Sequence, residues 1–380
     1  MKRITVFGCG LVGGLIVRDL ASDPDVEVRA VDRSDAPLRS LAGLPRVETR
    51  TADVSNDEVL RALIADADAV VGAVPGHLGF SMLRRVIDAG KPIADISFSP
   101  ENFLALDETA RARGVTAVVD CGVSPGLSNL AIGRAASKLA HVRTATIYVG
   151  GLPEPRFWPF EYRSVFSPTD VVEEYTRPAR LVEAGRIVTK EALTEVELVD
   201  IPGVGTLEAF NSDGLRTLLH TVKADFMKEK TMRYPGHADR MRMLRTMGLF
   251  SSEPVTVDGQ SVVPRRLTES LMFKLWNRPS DEAELTALRV IVEGEDTAKT
   301  VRRYTYDLLD RTDRTTGATS MARTTGFPCA IAARMLARGS YVQPGIQPLE
   351  NLAVRDDLYD AFVAGLLARG VKLVETSSLP

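Results

Sequence analysis

Cysteine, histidine and tryptophan are scarce: three Cys, four His and two Trp stand among 380 residues. Cys9, Cys121 and Cys329 lie far apart with no C-x-x-C pair, which argues against a disulfide framework and a thiolate zinc site. No His/acid spacing suggests other metal ligands, so no metal is expected. Excess charge of one sign is also absent, with 47 Lys+Arg against 50 Asp+Glu for a net charge of −3. Nucleic acid and acidic membrane surfaces are therefore not expected as partners. No apolar run approaches about 18 residues. No early stretch joins basic residues, a long apolar core and a small-residue cleavage site. The expectation is a cytoplasmic protein, neither exported nor membrane-spanning. Repeats, low-complexity tracts and long linkers are missing too.

What is present is an ordinary globular composition, 44% hydrophobic and 26% charged, in a chain long enough for two domains. From Lys2 to about Asp120 the apolar runs ITVF, VEVRAVD, VETRTAD, AVVGAV, PIADI and TAVVD alternate with helical patterns. Val12, Ile16 and Leu20 share one helical face, and Asn56-Asp57-Glu58 precedes Val59-Leu60 as a helix start. The fold class expected is α/β: a Rossmann doubly wound parallel sheet, then a second α+β domain with a mixed sheet. Alternating runs such as TATIYVGG and LTALRVIVEG and a proline cluster at Pro153, Pro155 and Pro159 mark that second domain. The expected boundaries are 1–125 and 126–324, with 325–380 packing back on the first domain. PCAIAARMLARG reads as a helix capped at Gly339.

Gly8-Cys9-Gly10-Leu11-Val12-Gly13 follows a strand and opens a helix. In that context Gly8 permits the turn, Gly10 admits a pyrophosphate to the backbone N–H groups, and Gly13 lets the helix pack close. Asp32, ending VRAVD, is placed to accept ribose hydroxyls, and its charge favours NAD over NADP. Neighbouring Arg33 could stack on adenine or tolerate a 2′-phosphate. Asp53-Val54, Ala73-Val74-Pro75 and Ser97 close later strands on the ligand side of such a sheet. Each is a cofactor contact or a plain loop residue. Gly122, Val123, Ser124, Pro125 and Gly126 read as a turn beside the nicotinamide or as a hinge and helix cap. Cys121, with no flanking base, reads as a small buried residue.

WPFEYRSVF, LEAFNSDG and TMRYPGHAD read as loops lining a polar pocket. Glu161, Glu208 and Asp213 could receive an ammonium group, while Arg163, Arg233, Asn211 and Ser212 could hold a carboxylate. Ser124 and Asn129 are further substrate candidates. His237, Tyr162 and Asp120 are the candidate proton carriers. For each, a structural hydrogen bond is the alternative.

Together these motifs resemble the saccharopine dehydrogenase-like family, most closely its NAD-dependent lysine 6-dehydrogenase branch. The resemblance rests on VFGCGLVGG, DCGVSPGLSN, IYVGGLPEP, FEYRSVFS, EEYTRPA, GTLEAF, KTMRYPGHAD and ALRVIVEG in that order. It implies NAD-dependent oxidation of an amine on an amino acid, with hydrolysis of the imine. For lysine the products would be ammonia and 2-aminoadipate 6-semialdehyde. Leu127-Ser128-Asn129, where saccharopine-cleaving relatives carry a D-H pair, favours the lysine branch. Asn211-Ser212-Asp213-Gly214 and TTGFPCAIA lean toward the saccharopine branch, so a secondary amine such as saccharopine or a carboxylated polyamine is the alternative. A non-catalytic dinucleotide-binding protein is a third reading. A small-molecule substrate and a homodimer or larger homo-oligomer are the partners expected.

Overall fold

In the computed structural model, which describes residues 1–166, 168–279 and 282–379, the six early apolar runs become strands. They are β1 (Lys2–Phe7), β2 (Val26–Asp32), β3 (Val47–Thr51), β4 (Ala69–Gly72), β5 (Ile93–Asp95) and β6 (Thr116–Val119). Every residue of β4, β5 and β6 is buried, as parallel strands covered on both faces must be. The helices between them are α1 (Leu11–Ala21), α2 (Asp35–Arg39), α3 (Asp57–Ile64), α4 (Gly76–Asp88) and α5 (Asp107–Ala112). Helix α1 buries Gly13, Ile16, Val17 and Leu20, and the Asn56 side chain caps α3 by accepting from Glu58 and Val59 N–H. Helix α6 (Leu127–Ser137) follows.

The next stretch builds a mixed sheet from β7 (His141–Pro153), β8 (Ala179–Glu183), β9 (Arg186–Lys190), β10 (Glu197–Ile201), β11 (Gly205–Asn211) and β12 (Ala224–Arg233), with α7 (Pro168–Thr176) and α8 (Leu218–Thr221) between strands. Helix α9 (His237–Thr246), a hairpin of β13 (Val255–Val257) and β14 (Gln260–Val262), helix α10 (Pro264–Trp276), β15 (Glu284–Glu295) and β16 (Val301–Arg311) come next. The chain then forms α11 (Ser320–Arg338), β17 (Gly345–Pro348), α12 (Leu349–Leu352), α13 (Asp356–Leu367) and β18 (Val374–Ser378). Helix α11 ends before Gly339, whose φ of +71° suits glycine. It starts eight residues earlier than its sequence pattern suggests, carrying Pro328 inside.

Two units result. The first holds Met1–Ala140, Arg216–Val222 and Ala322–Leu373, and the second holds His141–Leu215, Lys223–Met321 and Val374–Pro380. Residues 126–140, read from the sequence as opening the second domain, stay with the first because α6 packs on α12 there. The first sheet is parallel, in the order β17-β6-β5-β4-β1-β2-β3. Its seventh strand, β17, is four residues long and far along the chain, too short to show a period. The second sheet runs β10-β11-β12-β7-β15-β16-β18, with β8 and β9 attached to β12. Among the described residues, only β12 and β7 pair in parallel in it. Among the described residues no helix is long and apolar enough to cross a membrane.

Candidate active site

Strand β1 lies between β2 and β4, and the chain moves outward from them in opposite directions. This opens a crevice at their C-terminal ends. Gly8 stands there with φ +86°, and a Cβ on it would run into the Ala73 carbonyl. A Cβ on Gly13 would strike the Gly8 carbonyl oxygen, so α1 sits directly on the turn. Gly10 differs: a Cβ there would meet nothing within 4 Å. It is the N-cap of α1, where no side chain caps the helix. Uncapped first-turn N–H groups with open space over Gly10 fit a pyrophosphate, which the helix dipole also favours. Leu11 is exposed beside it, and Val12 is half-buried against Gly326.

Asp32 ties β2 to this turn. Its Oδ2 accepts from Cys9 N–H at 2.8 Å and its Oδ1 from Ser34 N–H at 2.9 Å, and each oxygen has a second lone pair for a ribose hydroxyl. Arg33 is exposed. Ala73 N–H donates to the Phe7 carbonyl at 2.8 Å, which brings Ala73-Val74-Pro75 alongside the turn. Asp53 is exposed and accepts from Ser55 N–H at 2.9 Å, while Val54 packs on the first unit's core.

Further along the same sheet edge, β5 and β6 deliver two carboxylates. Asp95 is fully buried. Its Oδ1 accepts from the Ser97 N–H at 2.9 Å and from the Ser97 hydroxyl, whereas Oδ2 has no hydrogen-bond partner among the described residues and lies over Gly72. Burial pushes the Asp95 carboxyl up to about 7, the Asp120 charge adds to the rise, and the Ser97 bonds oppose it. Asp120 follows β6, buried, with φ +51°. The Arg216 Nε lies 3.4 Å from Asp120 Oδ1. Arg216 Nη1 donates to the Ser99 carbonyl, and its guanidinium lies 5.3 and 5.4 Å from the centres of the Phe98 and Phe103 rings. Two buried acids thus lie near one another, with the Arg216 guanidinium beside Asp120. Cys121 and Cys329 are buried behind them, and burial together with Cys121 holds the Cys329 thiol well above its ordinary range.

The Gly122–Gly126 turn caps α6: Gly122 N–H donates to the Pro125 carbonyl at 3.1 Å, and Leu127 and Ser128 N–H donate to Gly122 and Val123 carbonyls at 2.9 and 3.0 Å. Ser124 Oγ is buried without a hydrogen-bond partner among the described residues. Asn129 is fully buried and engaged at both ends, its Oδ1 accepting from Gly126 N–H at 3.1 Å and its Nδ2 donating to Glu350 at 3.1 Å.

In the second unit, His237 is fully buried. Its Nε2 is 2.9 Å from the Tyr175 hydroxyl and its Nδ1 2.9 Å from the Phe160 carbonyl. Burial, then the Arg233 charge, push it down to about 3, so the imidazole is neutral. The buried Tyr162 ring meets His237 and Trp276 edge-on, with the Arg233 guanidinium 4.6 Å over its face. Burial holds its hydroxyl well above the usual range. Arg233 pairs with Glu174. Glu208 accepts from Gly236 N–H at 2.8 Å and from Ala238 N–H, at the start of α9. Asn211 donates to Thr194 at 3.2 Å, Ser212 to Glu229 at 2.6 Å, and Asp213 receives Arg180 at 2.9 and 2.8 Å. Glu161 pairs with Arg156, and Arg163 lies 3.1 Å from Glu282. Tyr162, Arg233 and His237 thus come together in one buried cluster. The other candidates have partners inside the unit, and Glu208, Asn211 and Arg233 lie on strands β11 and β12 rather than on loops.

Sequence reasoning passed over Asp95 and Arg216. Asp95 carried a signal, an acid closing a wholly apolar strand. Arg216 carried none, because only the fold brings residue 216 beside residue 120.

Residues 4–118 match the family described as saccharopine dehydrogenase NADP binding domain, and residues 122–371 the saccharopine dehydrogenase C-terminal domain. The Saccharomyces cerevisiae saccharopine dehydrogenase (NADP(+), L-glutamate-forming) is 22% identical over 95% of this chain and 97% of its own. The Synechocystis carboxyaminopropylagmatine dehydrogenase is 19% identical over 93% of each. The Arabidopsis thaliana alpha-aminoadipic semialdehyde synthase is 23% identical over 93% of this chain, which spans 41% of that protein. A solved apo structure of the yeast L-Glu-forming enzyme has a TM-score of 0.81 at 20% identity, covering 100% of both chains. The Legionella pneumophila homospermidine synthase in complex with NAD has a TM-score of 0.66 at 12% identity, covering 99% of this chain and 91% of its own. With both matched regions together spanning nearly all of the sequence, this chain belongs to the saccharopine dehydrogenase family of dinucleotide-binding oxidoreductases.

Proposed function

We propose that this chain oxidises a secondary amine carried by an amino acid and releases a carbonyl compound and a primary amine. The observation that carries the reading is the buried Asp95–Asp120 pair with Arg216, on the sheet edge that carries the glycine turn. When bound, the dinucleotide supplies a hydride acceptor. Gly8, Gly10, Gly13 and the start of α1 would hold its pyrophosphate, and Asp32 its adenosine ribose. The amine carbon loses its hydrogen with the bonding pair, and the nitrogen must first be neutral. Asp95 and Asp120 take that proton, since an acid near 7 both accepts and returns protons at neutral pH. Arg216 sets its guanidinium against Asp120. With that first proton released to solvent, the pair takes a proton from the water that adds to the C=N carbon and returns it to nitrogen, and as the C–N bond breaks it takes the hydroxyl proton that leaves when the carbonyl forms. Ser124 Oγ is free to direct the substrate nitrogen or the water.

The names of two relatives support a secondary amine, as saccharopine and carboxyaminopropylagmatine both carry one. A primary amine, as in lysine 6-dehydrogenase, is the second reading, favoured by Leu127-Ser128-Asn129 in place of an Asp-His pair. NAD is the preferred cofactor in this reading, because the Asp32 carboxylate repels a 2′-phosphate.

The test mixes purified protein with NAD or NADP and, in turn, saccharopine, lysine, ornithine and carboxylated polyamines, following reduced-cofactor absorbance, ammonia and glutamate. Reduction with glutamate release from saccharopine, or with amine release from a carboxylated polyamine, is expected. Ammonia release from lysine would select the second reading. Silence across the panel despite dinucleotide binding would overturn both.

A further inference from the structure

Arg216 reaches Asp120 by an unusual route. The chain leaves the second unit at Leu215 and rejoins it at Lys223, and the segment between, Arg216–Val222, belongs to the first. Arg216 itself has φ +53°. The segment amounts to one helical turn, α8, far too short to hold itself together.

Its fastening comes from two buried polar residues on other elements. Glu350, in α12, accepts from the Thr221 hydroxyl at 2.7 Å through Oε1 and from Asn129 Nδ2 at 3.1 Å through Oε2. Asn129 Nδ2 also donates to the Thr217 hydroxyl at 3.3 Å. Thr217 and Thr221 lie one turn apart and Thr217 directly follows Arg216, so this grip fixes where the arginine leaves the backbone. Gly133 makes the arrangement fit: a Cβ there would come within 2.6 Å of Glu350 Cα, so α6 and α12 touch without a side chain between them. Glu350 is 3% exposed. Burial raises its carboxyl and the Thr217, Thr221 and Asn129 bonds oppose the rise. A buried carboxyl is costly unless hydrogen-bonded, and apolar side chains would pack this spot more cheaply. What they would lack is direction.

We propose that Glu350, with Asn129, is a positioning residue for the reaction: it fastens the Arg216–Val222 excursion to the dinucleotide-binding unit and thereby sets the Arg216 guanidinium against Asp120. This rests on the reading that the Asp95–Asp120 pair carries the reaction's proton. Glu350 touches neither carboxylate of that pair. Loosening it lets the guanidinium withdraw from Asp120, and the pair then holds its proton to higher pH.

The test uses the full chain loaded with NAD and follows the protonated-carboxyl infrared band from pH 5 to pH 9, with NAD affinity and melting temperature measured alongside. Asp95→Asn is expected to remove a titration near 7. Glu350→Ala is expected to move it upward by about one pH unit, with an approximately fivefold lower rate of amine oxidation at pH 7 and NAD affinity within about twofold. Glu350→Gln keeps an acceptor and should restore most of both. Adding Arg216→Lys to Glu350→Ala should produce no further shift. An unmoved titration in a folded, NAD-binding Glu350→Ala protein would make Glu350 merely structural and overturn the proposal, leaving the acid pair in place. A titration that Asp95→Asn does not remove would overturn the acid-pair reading itself. If Glu350→Ala does not fold, Thr221→Val carries the same test, with a smaller upward shift expected and no shift overturning the proposal.

Discussion

Asp95 in the first unit and His237 in the second are both fully buried, yet burial moves them in opposite functional directions. Exclusion of water disfavours the charged form of each. The acid is thereby lifted to about 7, into the range where it exchanges protons at neutral pH. The histidine is driven down to about 3, out of that range, and both its nitrogens face protein groups. The residue type most associated with proton transfer becomes a neutral strut, and it is the ordinary acid to which the proposed reaction assigns the proton. Within the glycine turn, Gly8 and Gly13 face backbone while Gly10 faces open space.

The largest effects are expected at the glycine turn. Gly13→Ala drives a Cβ into the Gly8 carbonyl and is expected to unfold the first unit or abolish dinucleotide binding, since overpacking costs about 1–3 kcal/mol or more. Gly10→Ala should melt as the parent does and lose only dinucleotide affinity. A thermal melt with cofactor titration separates the two, and equal melting losses would remove the open space over Gly10 from the site.

Next come the two proton-carrier candidates. Asp95→Asn and Asp120→Asn are each expected to lower the rate of amine oxidation by about 10²–10⁴-fold. His237→Gln should keep the rate within a few-fold while losing roughly 1–3 kcal/mol of stability from its buried hydrogen bonds. The reverse pattern in steady-state kinetics would return the proton to the second unit. In the parent, the rate should climb as pH rises through about 7, because the pair must be ionised to accept a proton.

A smaller effect is expected at Asp32. Asp32→Ala removes the acceptor proposed for the ribose and should weaken NAD binding by roughly tenfold, on the order of one hydrogen bond to a charged group, while narrowing the gap between NAD and NADP. Unchanged affinity by titration calorimetry would take Asp32 out of the site.

The smallest effects are in the pH dependence of melting. His237 has a depressed value in the folded state, so its contribution is complete above its ordinary 6.5 and is lost as pH falls from there toward about 3. Asp95 has a raised value, so its contribution is complete below its ordinary 3.8 and is lost as pH rises through about 7. His237→Gln should flatten the acid side of the melting profile, and Asp95→Asn the side between 3.8 and 7.

Much of the first unit was legible because its constraints are local. The strand, the glycine spacing, the helix and Asp32 occupy one stretch of about 30 residues. Each glycine there answers a steric demand that any other residue would violate or obstruct. Asn56 could be read as a cap and Gly339 as a helix end for the same reason. The second unit was legible only as a mixed sheet. A stretch such as TMRYPGHAD has the composition of a pocket, but whether Arg233 faces a ligand, a glutamate or a tyrosine ring depends on strands far from it in sequence.

The parallel sheet, the glycine turn and the family could be read from residue order, since period, spacing and turn chemistry act over a few residues. The meeting of Asp95, Asp120 and Arg216, and that of Glu350 with Thr221 and Asn129, arise only in the folded chain. The protonation and pairing of a buried polar group are set by whatever the completed fold places within a few ångströms of it, and chain order carries no record of that.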